Sequence, residues 1–366
     1  MRLAIRRIPT ILLTMTVATA CDNVDWGGLD VAIIKPPPRA SANPEPVRDA
    51  EAEQLPEGPV LYYARRGPGQ ASAVMVPLAE IGEDSLRPLR AERDGERYAN
   101  RFVADFMRQG AEFVLFSSGV RAGQLVIQSA QPATAGRCGP IPQAIGSLEL
   151  VTGADSILEF LALSRMNAPQ VARRLDERLT PTRTMEYITQ YRAEQALRAR
   201  KAQLPGNWQR AMAQVTAFPV QGAQSPGLAA TFLVGDTLGP GLDNEGYSLF
   251  FIATPAAAQV GWDTVYVEFH DYPTSGKAAP RLVDYLDWDR DDQVELLMRV
   301  YSIDEEWFEV FGRDEAGAWR RRFRDRCEIM AQPVAEPAAP VADSVSATPP
   351  AGVAVPRPDT SMIGSP

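Results

Sequence analysis

The stretch DWDRDDQVELL, residues 287–297, sets acidic side chains at alternate positions: Asp287, Asp289 and Asp291, with Glu295 four residues further on. Oxygen donors spaced in this way on a tight loop can all turn inward on a hard cation, and a later carboxylate can close the shell. The same residues can equally make a solvated acidic turn in which Val294, Leu296 and Met298 do the folding. Both readings stay open from the sequence.

Other chemistry has little to work with. The single histidine, His270, lies in the alternating run VYVEFHDY. Alternation puts Val265, Val267 and Phe269 on one face of a strand and Tyr266, Glu268 and His270 on the other. There is no GxSxG elbow, no HExxH pair, no phosphate-binding P-loop and no GxGxxG after a strand, so nucleophilic, zinc and nucleotide chemistry find no support. Carboxylate pairs are plentiful, and a hydrolase working through two carboxyl groups would need a cleft that holds them about 5–10 Å apart. A formal net charge of −9, carried despite Arg2, Arg6 and Arg7 at the extreme N-terminus, argues against nucleic acid as a partner.

The elements that must position the acidic stretch are mostly strands. PVLYYARR, SAVMVPL, AEFVLFSSG, GQLVIQS and SLELVTG are short apolar runs punctuated by Gly, Pro and charge, as strands are. RYANRFVADFM fits a strand or a short helix. From 153 to 216 the pattern turns helical: Ser156 and Glu159 make a capping box before ILEFLALS, Asn167 and Pro169 open APQVARRLDERL, and Thr180 and Pro181 open TRTMEYITQYRAEQALRARKAQL. Asn207 caps a last short segment, WQRAMAQV. Strands resume with LAATFLVG, YSLFFIAT, WDTVYVEF and LVDYLDW, and QVELLMRVY, WFEVFGR and AWRRRF read as a meander. The expected fold class is α+β: antiparallel meanders over 58–152 and 217–330, a helical insert at 153–216, all in one folded domain from 58 to 330. Residues 331–366 are rich in Pro and Ala and predict a disordered tail.

The first twenty residues place three arginines before an apolar run and then small residues, the pattern of a secretory signal. The run is too short to span a bilayer. ATAC, Ala18 to Cys21, resembles the lipobox of bacterial lipoproteins, in which the cysteine is acylated and begins the mature chain; here Ala18 stands where Leu is usual. The resemblance implies lipid on Cys21, with 21–57, proline-rich and polar, as a disordered tether. Cys138 and Cys327 then remain in an oxidising compartment and are expected to form a disulfide. The acidic stretch resembles the DxDxDGxxD calcium loop of FG-GAP and VCBS-type repeats, with Asp292 in place of the glycine and a single copy present. That resemblance implies calcium held by Asp287, Asp289, Asp291 and Glu295, with the carbonyl of Gln293. No other cofactor is expected.

The sequence therefore predicts an exported, lipid-anchored protein of a bacterial envelope, non-catalytic, acting on another envelope protein or a glycan or in structural support. Calcium-dependent recognition and a carboxylate-based hydrolase are the alternatives.

Overall fold

In this computed structural model the described residues are 55–82, 85–89, 95–133, 139–241, 245–256 and 261–325, with the backbone of 329–330. Cys21, Cys138 and Cys327, the leader, most of the tether and the tail lie outside them. The strands are β1 (Val60–Arg65), β2 (Ser72–Ile81), β3 (Leu86–Pro88), β4 (Glu112–Ser117), β5 (Val120–Ala133), β6 (Ile141–Leu150), β7 (Glu159–Ser164) and β8 (Met212–Phe218). They continue as β9 (Gly227–Val234), β10 (Tyr247–Pro255), β11 (Trp262–Asp271), β12 (Ala279–Leu286), β13 (Glu295–Tyr301), β14 (Glu305–Arg313), β15 (Trp319–Arg324) and β16 (Ile329–Met330). The helices are α1 (Gly95–Phe106), α2 (Arg183–Ala199) and the single turn α3 (Tyr272–Ser275).

Pairing is antiparallel throughout. The first sheet runs β1-β7-β4-β5-β6-β2-β3, and β1 also pairs with β2, so six of its strands close into a ring. Closure leaves no free edge within the ring. Tyr62, Ala64, Met75, Phe113, Leu115, Leu125 and Phe160 share one buried cluster with Tyr98 and Phe102 of α1, which settles RYANRFVADFM as a helix. The opposite face of the ring, with Leu61, Leu161 and Leu163, packs on Leu286, Leu297, Phe308 and Val310 of a second sheet, β12-β13-β14-β15. The other face of that sheet, with Leu282, Leu296, Met298 and Phe311, packs on Phe250 and Ile252 of a third, β11-β10-β9-β8. The far side of the third sheet is covered by Ala193 and Leu197 of α2. The order of layers is ring, sheet, sheet, helix.

This stacking explains the apolar runs. Every residue of β13 is buried, and all but the last of β9 and of β10, because each of these strands has cover on both faces. It also corrects the helical insert at 153–216. ILEFLALS is β7, inside the ring, with Phe160, Leu161, Ala162 and Leu163 fully buried. A short apolar run buried all round carries no period that separates strand from helix, and the Ser156 and Glu159 capping pattern is coincidental. APQVARRLDERL contains only one tight helical turn, Leu175–Glu177, and WQRAMAQV is a turn followed by β8. Only α2 forms as expected, with the Thr182 hydroxyl accepting from the Met185 N–H at 3.3 Å.

Burial on both sides of the second sheet leaves charged groups in need of partners. Arg299, 5% exposed, donates from Nε to Glu306 at 3.0 Å, and from one Nη to Glu159 and to the Tyr63 hydroxyl, each at 2.9 Å. Arg281 pairs with the other oxygen of Glu159. Burial alone would raise the Glu159 pKa, but the bonds and charges of Arg281 and Arg299, with the Tyr63 hydroxyl, hold it below the ordinary value. Nearby, the bulge of β12 turns Asp284 toward the Ser118–Gly119 hairpin, where its Oδ1 accepts from Gly119 N–H at 2.9 Å and Tyr285 N–H at 2.7 Å. Gly119 has φ +67°, and a Cβ there would lie 2.3 Å from the Tyr285 ring, so no other residue fits. The second oxygen of Asp284 has no partner.

Burial pushes the Asp284 pKa up to about 7 against the bonds from these backbone N–H groups. The native state thus keeps a proton that the unfolded chain gives up near its ordinary pKa. The stabilisation is complete below pH 3.8 and is lost as pH rises through about 7. Asp284→Asn is expected to remove this part of the pH dependence, up to about 4 kcal/mol between the two limits. Urea denaturation at a series of pH values checks it; an unchanged slope between pH 4 and 7 would show that Asp284 is charged in the fold.

Candidate metal centre

The acidic stretch bridges β12 and β13. Trp288, 5% exposed, plugs the core between ring and second sheet and anchors the loop. Arg290 and Asp292 take left-handed backbone, φ +66° and +64°. Asp292 therefore adopts the conformation that the glycine of the calcium loop would supply, as short polar side chains can. Asp287 accepts from the N–H groups of Asp291 and Asp292, each at 3.1 Å, which folds the loop back over its first residue.

Of the five expected ligands, the fold brings three together: Asp287, Asp289 and Glu295 each offer a carboxylate oxygen, all within 4.8 Å of one another. Two oxygens across one calcium ion, each at roughly 2.3–2.6 Å, stand no further apart than about 5 Å. Asp291 lies outside this group and accepts from Gln293, from its N–H at 2.8 Å and its amide at 3.3 Å.

Glu295 is the distinctive member. It is 8% exposed, begins β13 and faces the ring, and its Oε2 is buried without a hydrogen-bond partner. Burial raises its pKa to about 9, with further contributions from the charges of Asp289, Asp291 and Asp287, against a backbone bond from Trp288. Asp289 is pushed up to about 6 by burial and by Asp291 and Asp287, against a backbone bond from Asp291 and the charge of Arg322, and Asp287 is raised by burial and by Asp291. A cavity of about 20 Å³ touches both Asp289 and Glu295, room for one water-sized occupant. An oxygen-only donor set with three acids suits a hard divalent cation better than a softer metal.

The remaining candidates separate clearly. Glu268 accepts from His270 Nε2 at 2.8 Å and from the Tyr266 hydroxyl at 2.9 Å, so these three share a strand face as the alternation requires. Glu159 and Glu306 do line a common cleft, but Arg299 holds both, and the depressed pKa of Glu159 makes it a poor proton donor. Sequence reasoning missed this arginine and glutamate cluster. Its members come from β7, β12, β13 and β14, and no local spacing announces them. No helix among the described residues is long and apolar enough to cross a membrane. The chain matches no protein-family model, no curated protein and no solved structure.

A buried carboxyl beside two others must take up a proton on folding at neutral pH unless a cation answers it, and that uptake opposes folding. In chelator, Glu295→Gln is expected to be more stable than the parent chain by about 1–3 kcal/mol, read as a higher urea midpoint at unchanged slope. A lower midpoint would mean that the carboxylate already has a partner in the fold.

Proposed function

We propose that this chain is an exported, lipid-anchored envelope protein that acts by binding or support rather than by catalysis, and that calcium braces its folded region at the 287–295 loop. The observation that carries the calcium reading is the buried Glu295 carboxylate, unpartnered at Oε2 and set against Asp287 and Asp289. Calcium would add positive charge where, among the described residues, Arg322 alone offsets three acids, with Asp287 and Asp289 from the loop and Glu295 from the strand. Because Glu295 belongs to β13 and Trp288 to the core, an ion there would tie the loop to the centre of the fold. The partner this reading favours is another envelope protein or a glycan, met outside the membrane to which Cys21 attaches the chain.

Support for the anchor is the signal-like N-terminus, the ATAC sequence and the proline-rich tether. Support for a non-catalytic role is that both carboxylates of the cleft are engaged by arginine.

Two measurements test the reading. Melting of the full chain in calcium, magnesium and chelator should show a rise specific to calcium. At a hundredfold excess over Kd the stabilisation is about 2.7 kcal/mol, several degrees for a domain of this size, and Glu295→Gln should abolish it. Equal melting temperatures in calcium and chelator would overturn the metal site. Separately, Cys21→Ser should move the chain from the membrane fraction to the soluble one; retention in the membrane would overturn the lipid anchor.

A further inference from the structure

A cleft of about 830 Å³ opens where the ring meets the two sheets, bounded by Arg65 and residues 157–159, by Gln214 and residues 238–240, and by Arg281, Arg299 and Glu306. Its volume falls within the roughly 300–1,000 Å³ of small-molecule sites. Gln214 holds its back wall in shape. The side-chain amide of Gln214 exchanges two bonds of 2.8 Å with the backbone of Leu282, at the bulge where β12 departs from regular pairing with β13.

The charges in the cleft do not balance. Three guanidinium groups, Arg65, Arg281 and Arg299, meet two carboxylates, Glu159 and Glu306. Both carboxylates are taken: Glu159 by Arg281 and Arg299, and Glu306 by Arg299. Arg65 follows Leu61 and Tyr63 on the outward face of β1 and has no side-chain acceptor among the described residues. Arg281 keeps an Nε–H that is buried and lacks an acceptor. A positive excess in a chain of net charge −9 is a local feature that the global field does not create. Three apolar side chains, Leu158, Leu238 and Pro240, line the same space beside the charged groups, and Leu158 is 39% exposed.

We propose that this cleft binds a small organic carboxylate with an apolar body, its carboxylate on Arg65 and its body against Leu158, Leu238 and Pro240. A ligand oxygen entering beside Arg281 would also give the Nε–H its missing acceptor. A neutral ligand leaves Arg65 unanswered, and a polyanion meets Glu159 and Glu306 as well as the acidic surface. The site is independent of the calcium loop.

Calorimetric titration of the full chain with decanoate, with decanol as the neutral ligand of equal tail and with acetate as the head alone, tests this in calcium and in chelator. Decanoate is expected to bind at least about tenfold more tightly than either control, the discrimination of one charge-assisted contact. Arg65→Gln should bring decanoate to the level of decanol while leaving the melting temperature unchanged, because no side chain among the described residues accepts from that guanidinium. Equal affinity for decanoate and decanol, decanoate binding unaffected by Arg65→Gln, or no decanoate binding at all would each overturn the proposal. Loss of the calcium-dependent melting shift with decanoate binding intact would leave it standing.

Discussion

The sheet β12–β15 has apolar cover on both faces, the ring on one and the sheet β8–β11 on the other, and this double burial governs the rest of the molecule. Any polar group carried on its strands leaves water on folding and must find its partner inside. Arg299 is the principal case. Its five donors reach Glu306 on the adjacent strand and Glu159 and Tyr63 on the ring, and its guanidinium also stacks near the rings of Tyr63 and Tyr301, at 5.5 and 5.1 Å. A planar fork can hold so many acceptors at once, where a lysine could not. A buried pair of this kind adds little net stability over apolar packing, but removing one member strands the others at a cost of roughly 3–5 kcal/mol. It fixes which face of the ring meets the sheet.

Other buried charges follow the same rule. Lys277, 5% exposed, donates to Asp236 at 2.7 Å and to the carbonyl of Gly239 at 2.9 Å, and Tyr272 completes Asp236 at 2.8 Å. Glu309 takes the indole N–H of Trp307 and Arg321. Glu295 differs in kind: the charges that act on it are those of Asp289, Asp291 and Asp287, while Arg322, which lines the same cavity, donates to the Arg313 carbonyl. A fold that pairs Arg299, Lys277 and Glu309 with such completeness, and leaves a carboxylate oxygen of Glu295 bare, marks that position as one whose partner is not a residue of the sheet. Asp284 also keeps one bare oxygen, but backbone N–H groups satisfy its other oxygen and no acid cluster surrounds it among the described residues; a proton serves at both positions, and of the two only Glu295 has neighbouring carboxylates with which to share a cation.

How much of this the sequence disclosed depended on whether a pattern was local. The strand runs at either end, the meander β13–β15 and α2 were legible because alternation, turn residues and caps act over a few residues. β7 was not, because a strand buried on both faces loses its alternation, and the polar residues before it happened to spell a helix cap. The acidic loop was legible as a constellation, and even the left-handed backbone at Asp292 could be anticipated from the glycine it replaces. The exclusion of Asp291 from the cluster could not, since it depends on how Gln293 turns. The Arg65, Glu159, Arg281, Arg299 and Glu306 cluster was invisible, being assembled from five strands by ring closure and sheet stacking.

The two sites share a strand. Glu295 begins β13, Arg299 lies four residues on, and both share the ring face of the strand with Leu297, so the acidic loop and the cleft lie roughly 13 Å apart along one seam. It would be natural to read this as a route for signalling between them. The packing argues otherwise. β13 is bonded to β12 and β14 along its length, and a slip of one residue would drive Glu295, Leu297 and Arg299 into the apolar layer that holds Leu296, Met298 and Phe311. Transmission between sites requires an element with two arrangements of similar energy, and a central strand locked on both edges and both faces offers one. An ion at the loop would therefore set the resistance of β13 to fraying and leave the cleft's shape as it is, which makes independence of the two sites the physical expectation rather than a simplifying assumption.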